Sequence, residues 1–156
     1  TTSTSTATRK ARAISRAGAA FRITRTPRAR AASAREIARA LRVAVDVLVV
    51  NAVEAEMMGA GPVTDLTTAL EAARHLAAGY DSVIVTAGSK GLAAWTLEDE
   101  QISLPARPVQ AISTHGAGDC FTGALAAAMA QGASLADACR RASDAAADHV
   151  SRPVAA

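Results

Sequence analysis

The chain has 156 residues, of which 50% are hydrophobic and 3% aromatic, so we expect one domain whose core is built mostly of alanine and valine. Its net charge is unevenly spread. Residues 1–42 carry eleven Lys or Arg and one acid, a charge of +10, and residues 43–156 carry six Lys or Arg and thirteen Asp or Glu, a charge of −7, so the sum is +3. The acidic part gives no reason to expect nucleic-acid binding, and no apolar run approaches the ~20 residues of a membrane span. Two cysteines without metal-ligand spacing indicate buried thiols in a reducing, cytoplasmic setting.

Residues 1–35 are rich in Thr, Ser, Ala and Arg and lack a sustained apolar period. Such a segment buries too little apolar surface to offset its ordering entropy, so it is predicted to be disordered. Three interpretations are open: a basic nucleic-acid-binding tail, an organellar transit peptide, and a non-native leader from a gene-boundary or reading-frame error. A functionless leader is favoured because the chain begins with Thr rather than Met, and the globular domain is expected over residues 36–156.

The first half of this domain is predicted to alternate between helices and strands. Residues 36–45 place apolar side chains at helical spacing. Residues 47–50 form an aliphatic, valine-rich run that is typical of a buried parallel strand, which ends at Asn51 and leads into a helix. Asp65 is a candidate N-cap for a further helix, which Gly79 is expected to close.

Strands, a hairpin and two helices are predicted for the second half. In chain order they are a buried strand (82–86), a glycine loop (87–91), two hairpin strands (92–96 and 101–104), a short strand (109–112) and two helices (119–131 and 134–150). Strands that alternate with helices predict an α/β fold with a mainly parallel sheet. In such a sheet ligands bind at the carboxyl ends of the strands, where Asn51, Thr86 and the loop after residue 112 are placed.

A glycine-rich turn precedes the first of these two helices. Gly116, Ala117 and Gly118 can bring backbone N–H groups close to an anion, at a point where the helix adds unpaired donors and its positive dipole end. Asp119 follows directly. Amides that hold negative charge beside a carboxylate that accepts a proton suit the transfer of a phosphoryl group to a hydroxyl. The alternative is a glycine turn and a capping Asp at an ordinary helix N-terminus.

Three motifs occur in order: N-A-V-E (residues 51–54), T-A-G-S-K-G (residues 86–91) and T-H-G-A-G-D, which C-F-T-G-A-L continues (residues 114–125). Together they resemble the N-x-x-E, T-x-G-x-x-G and D-T-x-G-A-G-D motifs of the ribokinase-like (PfkB) family of sugar and nucleoside kinases. The resemblance extends from Glu36 to Ala155. Taken singly, the first motif also fits a helix cap with its partner, and the second fits a plain turn after a strand.

The resemblance implies a three-layer, ribokinase-like (Rossmann-like) fold and ATP-dependent phosphoryl transfer to a sugar or nucleoside. Asp119 would take the proton of the acceptor hydroxyl, and the amides of residues 116–118 would hold the γ-phosphoryl group. Asn51 and Glu54 would lie near Mg²⁺ and the phosphates, with Glu54 reaching the metal through water. The other nucleotide-site residues that the resemblance implies are Thr86, Gly88, Lys90, Gly91 and Ser143. The full-length form of the family also implies a homodimer.

The sequence departs from the family pattern at several positions. Ser113 replaces the aspartate that the family associates with a monovalent cation site, so potassium activation is not implied. His115 is unusual at the centre of the signature, where its ring either contacts the phosphate or is exposed. Val154 replaces a glycine, and His149 is expected on a helix surface.

The family's N-terminal half, with a β-lid and most sugar-binding residues, has no counterpart in this sequence. The chain is therefore expected to be the nucleotide-binding half of a kinase, weak or inactive alone, whose acceptor the sequence does not identify. Two other classes stay open. One is a non-catalytic nucleotide-binding remnant, and the other is a basic-tailed protein that interacts with nucleic acid through residues 1–35.

Overall fold

A computed structural model describes residues 46–152. The predicted leader (1–35), the helix predicted over residues 36–45 and the substituted glycine position at Val154 lie outside these residues. The described part of the chain falls into two compact units, one up to Pro108 and one from Val109 onward.

The first unit is built on a four-stranded sheet in the order β1-β2-β3-β4. The strands are β1 (Val47–Asn51), β2 (Ser82–Thr86), β3 (Gly91–Thr96) and β4 (Gln101–Pro105). Helices α1 (Ala52–Met57) and α2 (Leu66–Leu76) connect β1 to β2, which pair in parallel. These boundaries confirm the predicted strands, hairpin and helix starts within one or two residues.

The sheet is mixed, whereas the alternation of elements predicts a mainly parallel one. Within residues 46–152, β1 and β2 form the parallel pair, and the β2–β3 and β3–β4 pairs are antiparallel. The connections from β2 to β3 and from β3 to β4 have four residues each. A parallel pair needs a crossover of a dozen or more residues, so these connections impose antiparallel pairing.

Helix α2 packs on one face of the sheet and forms the core of the first unit. Its alanines, Ala69, Ala72 and Ala73, are buried in one cluster with Val83 and Val85 of β2. Burial of each valine side chain stabilises the fold by roughly 1.5–3 kcal/mol. Side chains on the opposite face of the sheet are buried too, among them Ile84, Leu92 and Ala94.

The predicted N-cap of α2 forms a reciprocal pair of hydrogen bonds. The Asp65 carboxylate accepts the Thr68 N–H at 2.8 Å, and the Thr68 hydroxyl oxygen accepts the Asp65 N–H at 3.0 Å. The hydrogen bond from the Thr68 backbone is the largest cause that lowers the pKa of Asp65 below its ordinary value of 3.8. The α-helix ends at Leu76, and a single 3₁₀ turn (Ala77–Gly79) carries the chain to the predicted stop.

This cap predicts a pH dependence of stability. Because the pKa of Asp65 is lower in the folded state, its stabilising effect is present above pH 3.8 and is lost as the pH falls through the folded pKa. We expect Asp65→Ala to lower the Tm at pH 6 and the deficit to shrink as the pH falls below 3.8. Thermal unfolding of both proteins from pH 6 to pH 2.5 measures this deficit, and a constant deficit would contradict the assignment.

The second unit is a pair of packed helices, α3 (Ala117–Ala130) and α4 (Leu135–Ser151). Ser134 caps α4 by accepting the Asp137 N–H at 3.1 Å, as its position predicts. Both cysteines are free thiols, with Cys139 buried and Cys120 half-buried. The buried side chains of the pair are Phe121, Thr122, Leu125, Ala128, Ala138, Cys139 and Ala142. No described helix is long and apolar enough to cross a membrane.

The strand predicted over residues 109–112 does not form, and that prediction is wrong. Its last amide is used elsewhere, since the Ile112 N–H donates to the carbonyl of Val150 at 2.7 Å. Val109 and Ile112 are 37% and 59% exposed. A short apolar run does not distinguish a strand from an extended loop, and here the end of α4 provides the acceptor that a neighbouring strand would have provided.

Candidate functional site

The glycine turn leads directly into α3, with Gly116 as the N-cap residue in the left-handed conformation (φ 77°, ψ 1°). That conformation costs a residue with a Cβ roughly 1–2 kcal/mol. The Ala117 N–H donates to the Thr114 carbonyl at 3.3 Å. Among residues 46–152, no hydrogen-bond partner is found for the three neighbouring backbone donors, which are the N–H groups of Gly116, Gly118 and Asp119. They lie at the positive end of the helix dipole. Unpaired donors and a positive dipole end together favour the binding of an anion.

Asp119 lies in the first turn of α3, and its side chain is exposed. The alternative in which it caps the helix is wrong, because Gly116 occupies the N-cap position and no side chain makes a cap hydrogen bond. The described residues give its carboxylate no hydrogen bond or ion pair. An acid without a structural role beside unpaired amides can accept a proton from a bound group.

His149, in the last turn of α4, contacts this turn. Its Nε2 lies 2.8 Å from the carbonyl oxygen of His115, and a Cβ added to Gly116 would meet the same nitrogen at 3.2 Å. A carbonyl only accepts, so Nε2–H is the donor. His149 is therefore more than the helix-surface residue that its position predicts. The contact joins residues 34 apart in the chain, and no local pattern in the sequence points to it.

The N-x-x-E motif forms a helix cap on α1. Asn51 Oδ1 accepts the Glu54 N–H at 2.9 Å, and Glu54 Oε2 accepts the Asn51 N–H at 2.9 Å. The cap interpretation of this motif is confirmed. Oε1 of Glu54 is not used in the capping box, so the cap and a contact to a metal-bound water are compatible.

Asn51 and Thr86 are brought side by side at the carboxyl ends of two parallel strands. They are register partners in the β1–β2 pair, and the Thr86 hydroxyl donates to the carbonyl of Val50 at 3.4 Å. Both positions follow from the predicted strand ends. Ligands of α/β sheets bind at this edge.

The glycines of the loop after β2 differ in what they do. Gly88 is exposed at φ 57°, and a Cβ there would meet nothing within 4 Å. Gly91 is buried at φ 119°, and a Cβ there would lie 2.0 Å from the carbonyl oxygen of Leu104. Gly91 is therefore required by the close approach of β3 and β4. Gly88 and Lys90 are exposed at the surface of the loop.

A magnesium site fits the donor set, although no group of three or more His, Cys, Asp or Glu side chains within residues 46–152 could hold a metal ion. Mg²⁺ retains several waters and is bound through one or two carboxylates together with substrate phosphates. Glu54 has one such carboxylate, and Asn51 places an amide oxygen beside it. Ser143 lies half-buried in the middle of α4.

A mixed α/β sheet and a glycine turn that opens a helix with unpaired N–H groups among the described residues are features shared by nucleotide- and phosphate-binding α/β proteins. The family profile described as pfkB family carbohydrate kinase matches residues 2–156, so the chain belongs to this family. Deoxyribokinase of Salmonella typhi is 40% identical over 82 residues, which are 52% of this chain and 26% of that protein. The chain thus spans about a quarter of the deoxyribokinase that it matches.

Solved structures agree with the family assignment. Arabidopsis thaliana ribokinase, complexed with ribose and ATP, has a TM-score of 0.66 and 32% identity over 74% of this chain and 38% of its own. Escherichia coli phosphofructokinase-2, at 24% identity and a TM-score of 0.66, covers 76% of this chain and 39% of its own and shares the fold. The ribokinase-like fold class is therefore confirmed.

Proposed function

We propose that this chain binds ATP and provides the phosphoryl-transfer centre of a kinase that acts on a hydroxyl of a sugar. One observation carries the proposal: the N-terminus of α3 presents backbone donors that have no partner within residues 46–152, beside an exposed acid, Asp119. Membership of the carbohydrate kinase family supports it, as does the match to an ATP-complexed ribokinase. The relatives named ribokinase and deoxyribokinase favour a pentose as the acceptor.

The reaction follows from these groups. The acceptor hydroxyl oxygen attacks the γ-phosphorus of ATP, and the bond between that phosphorus and the bridging oxygen to the β-phosphate breaks. ADP leaves with the electron pair of the broken bond, and the hydroxyl proton passes to the Asp119 carboxylate. The N–H groups of Gly116, Ala117 and Gly118 are proposed to stabilise the negative charge of the γ-phosphoryl group, with the Ala117 N–H exchanging its 3.3 Å bond to the Thr114 carbonyl for a phosphoryl oxygen.

The nucleotide is proposed to lie along the carboxyl edge of β1 and β2. Asn51 and Thr86 are adjacent there, and the loop that follows exposes Gly88 and Lys90 to a ligand. Ser143 of α4 is proposed as a further contact on the adenine side. The backbone of Gly91 packs closely against β4 at the end of this loop. Gly91 is therefore proposed to shape the site without touching the nucleotide.

Mg²⁺ is proposed to be held by Asn51 and Glu54, where it would neutralise phosphate charge. Glu54→Gln keeps an oxygen acceptor for the Asn51 N–H, so we expect an unchanged Tm. Because the carboxylate is lost, we expect Mg²⁺ to strengthen ATP binding roughly tenfold less in this variant than in the wild type. Glu54→Ala also loses the hydrogen bond from the Asn51 N–H to Glu54 Oε2, at about 1 kcal/mol of folding free energy, and keeps the bond from the residue 54 N–H to Asn51 Oδ1. Magnesium titrations of ATP binding and thermal unfolding separate the two effects; an unchanged Mg²⁺ dependence in Glu54→Gln would reject the metal role.

A coupled assay of ADP release over a panel of sugars and nucleosides, with ribose and deoxyribose first, tests the proposed function. Because the chain is expected to be weak alone, we expect slow acceptor-dependent ADP release that requires ATP and Asp119. ATP binding without turnover on any acceptor, unaltered by Asp119→Asn, would contradict the kinase proposal and favour a non-catalytic nucleotide-binding protein. Absence of ATP binding would contradict both.

A further inference from the structure

We propose that His149 is a positioning residue for the anion-binding turn, because it aims the N–H of Gly116 through the peptide bond that joins His115 to Gly116. This inference rests on the proposed function, in which that N–H holds the γ-phosphoryl group. The contact that carries it is the hydrogen bond from His149 Nε2 to the carbonyl oxygen of His115, at 2.8 Å.

The peptide unit between His115 and Gly116 links the contact with His149 to the direction of the Gly116 N–H. A trans peptide is planar, so its C=O and its N–H point in opposite directions. A hydrogen bond that holds the His115 carbonyl toward the end of α4 therefore holds the Gly116 N–H away from it. Among the described residues this N–H has no partner of its own, so its direction is restrained through the other groups of the turn, and the 2.8 Å contact with His149 is the one made directly to its own peptide unit.

The residue that needs this restraint is a glycine in the left-handed conformation, at φ 77°. Glycine populates positive and negative φ about equally, and the hydrogen bond that closes the turn over the His115–Gly116 peptide, from the Ala117 N–H to the Thr114 carbonyl, is long at 3.3 Å. The last turn of α4 holds it at two points: the His149 side chain contacts His115, and the Val150 carbonyl accepts from Ile112 at 2.7 Å and from Ser113 at 3.3 Å.

The hydrogen bond also acts on the donor strength of the turn. A donor placed on the His115 carbonyl polarises the peptide, which strengthens the N–H on its other side. The imidazole itself is exposed, so its replacement removes one solvent-accessible hydrogen bond and leaves no buried group unpaired. His149 can therefore be changed without loss of the fold.

The test compares His149→Leu with His149→Gln in the full chain. The Gln side chain can place an N–H donor near the position of Nε2, and the Leu side chain has none. The measurement is the ratio of the Kd for ADP to the Kd for ATP, because only ATP carries the γ-phosphoryl group. We expect the ratio to fall roughly three- to tenfold in His149→Leu, to recover in His149→Gln, and the Tm of both to stay close to that of the wild type.

The outcomes separate this inference from the proposed function. A wild-type protein that binds ATP no better than ADP would reject the anion site itself. A wild-type preference for ATP that His149→Leu leaves unchanged would reject the role of His149 alone. An equal loss of ADP and ATP affinity in His149→Leu, with a lower Tm, would make His149 a purely structural residue and overturn the inference.

Discussion

Asp119→Asn is expected to lower acceptor-dependent ADP release by at least about 100-fold, the usual contribution of a positioned general base. The Asn side chain has nearly the same shape but cannot accept the hydroxyl proton. Since Asp119 makes no cap hydrogen bond, the Tm is expected to fall only slightly, by the loss of one negative charge from the first turn of α3, worth about 0.3–1 kcal/mol. Removing a negative charge beside the phosphates is expected to leave ATP binding unchanged or slightly tighter. Initial rates and ATP titrations on the same samples measure both quantities.

The matched control for this prediction is Glu71→Gln, which neutralises an exposed acid on α2. We expect its rate to equal that of the wild type. An Asp119→Asn protein that retains more than about a tenth of the wild-type rate would exclude Asp119 as the proton acceptor. A loss of ATP affinity in parallel with the rate would instead place Asp119 in nucleotide binding.

Gly91→Ala is expected to destabilise the protein by about 3 kcal/mol or more. Its backbone, at φ 119° and ψ −140°, lies in a region that glycine alone occupies readily, and the added Cβ would overlap the Leu104 carbonyl oxygen at 2.0 Å and the Ala106 nitrogen at 2.7 Å. Both contacts are with backbone atoms, so no side-chain rotation relieves them. Equilibrium unfolding in urea measures the change in the free energy of unfolding.

Gly88→Ala is the control, because it adds the same methyl group three residues earlier. Its Cβ would meet nothing within 4 Å, so only the left-handed φ of 57° opposes it, at roughly 1–2 kcal/mol. Because Gly88 is exposed in the proposed nucleotide loop, we expect this variant to weaken ATP binding more than it weakens the fold. Equal destabilisation by the two substitutions would contradict the structural role of Gly91.

Local chemistry accounts for what could be predicted from the sequence. Asp65, Asn51 and Ser134 act within their own helix turns, so their caps follow from residue type and spacing. The carboxyl-end placement of Asn51 and Thr86 follows from two aliphatic runs that form neighbouring parallel strands. The glycine turn before Asp119 is likewise a local feature, and its left-handed residue is the glycine that such a turn requires.

The remaining features depend on contacts between distant segments. The Ile112 amide is satisfied by Val150, so an apolar run that predicts a strand becomes a loop. His149 reaches the carbonyl of a residue 34 positions away, which no periodicity reveals. Gly91 is predicted as a nucleotide-site residue from the family motif, yet the observed constraint on it is the close approach of β4. Spacing along the chain does not encode these three contacts.

The affinity for ATP of two glycine variants in α3 tests most directly whether the N-terminus of α3 binds the phosphates of ATP. Gly118→Ala and Gly123→Ala each add a methyl group that would meet nothing within 4 Å, and alanine favours a helix over glycine by up to about 1 kcal/mol, so neither should lower the Tm. Of the two, Gly118 lies in the first turn, where its N–H has no partner among residues 46–152 and where an added Cβ would crowd an approaching phosphate. We predict that Gly118→Ala weakens ATP binding about tenfold or more, while Gly123→Ala binds as the wild type does. Wild-type affinity in both variants would contradict an anion site at the N-terminus of α3.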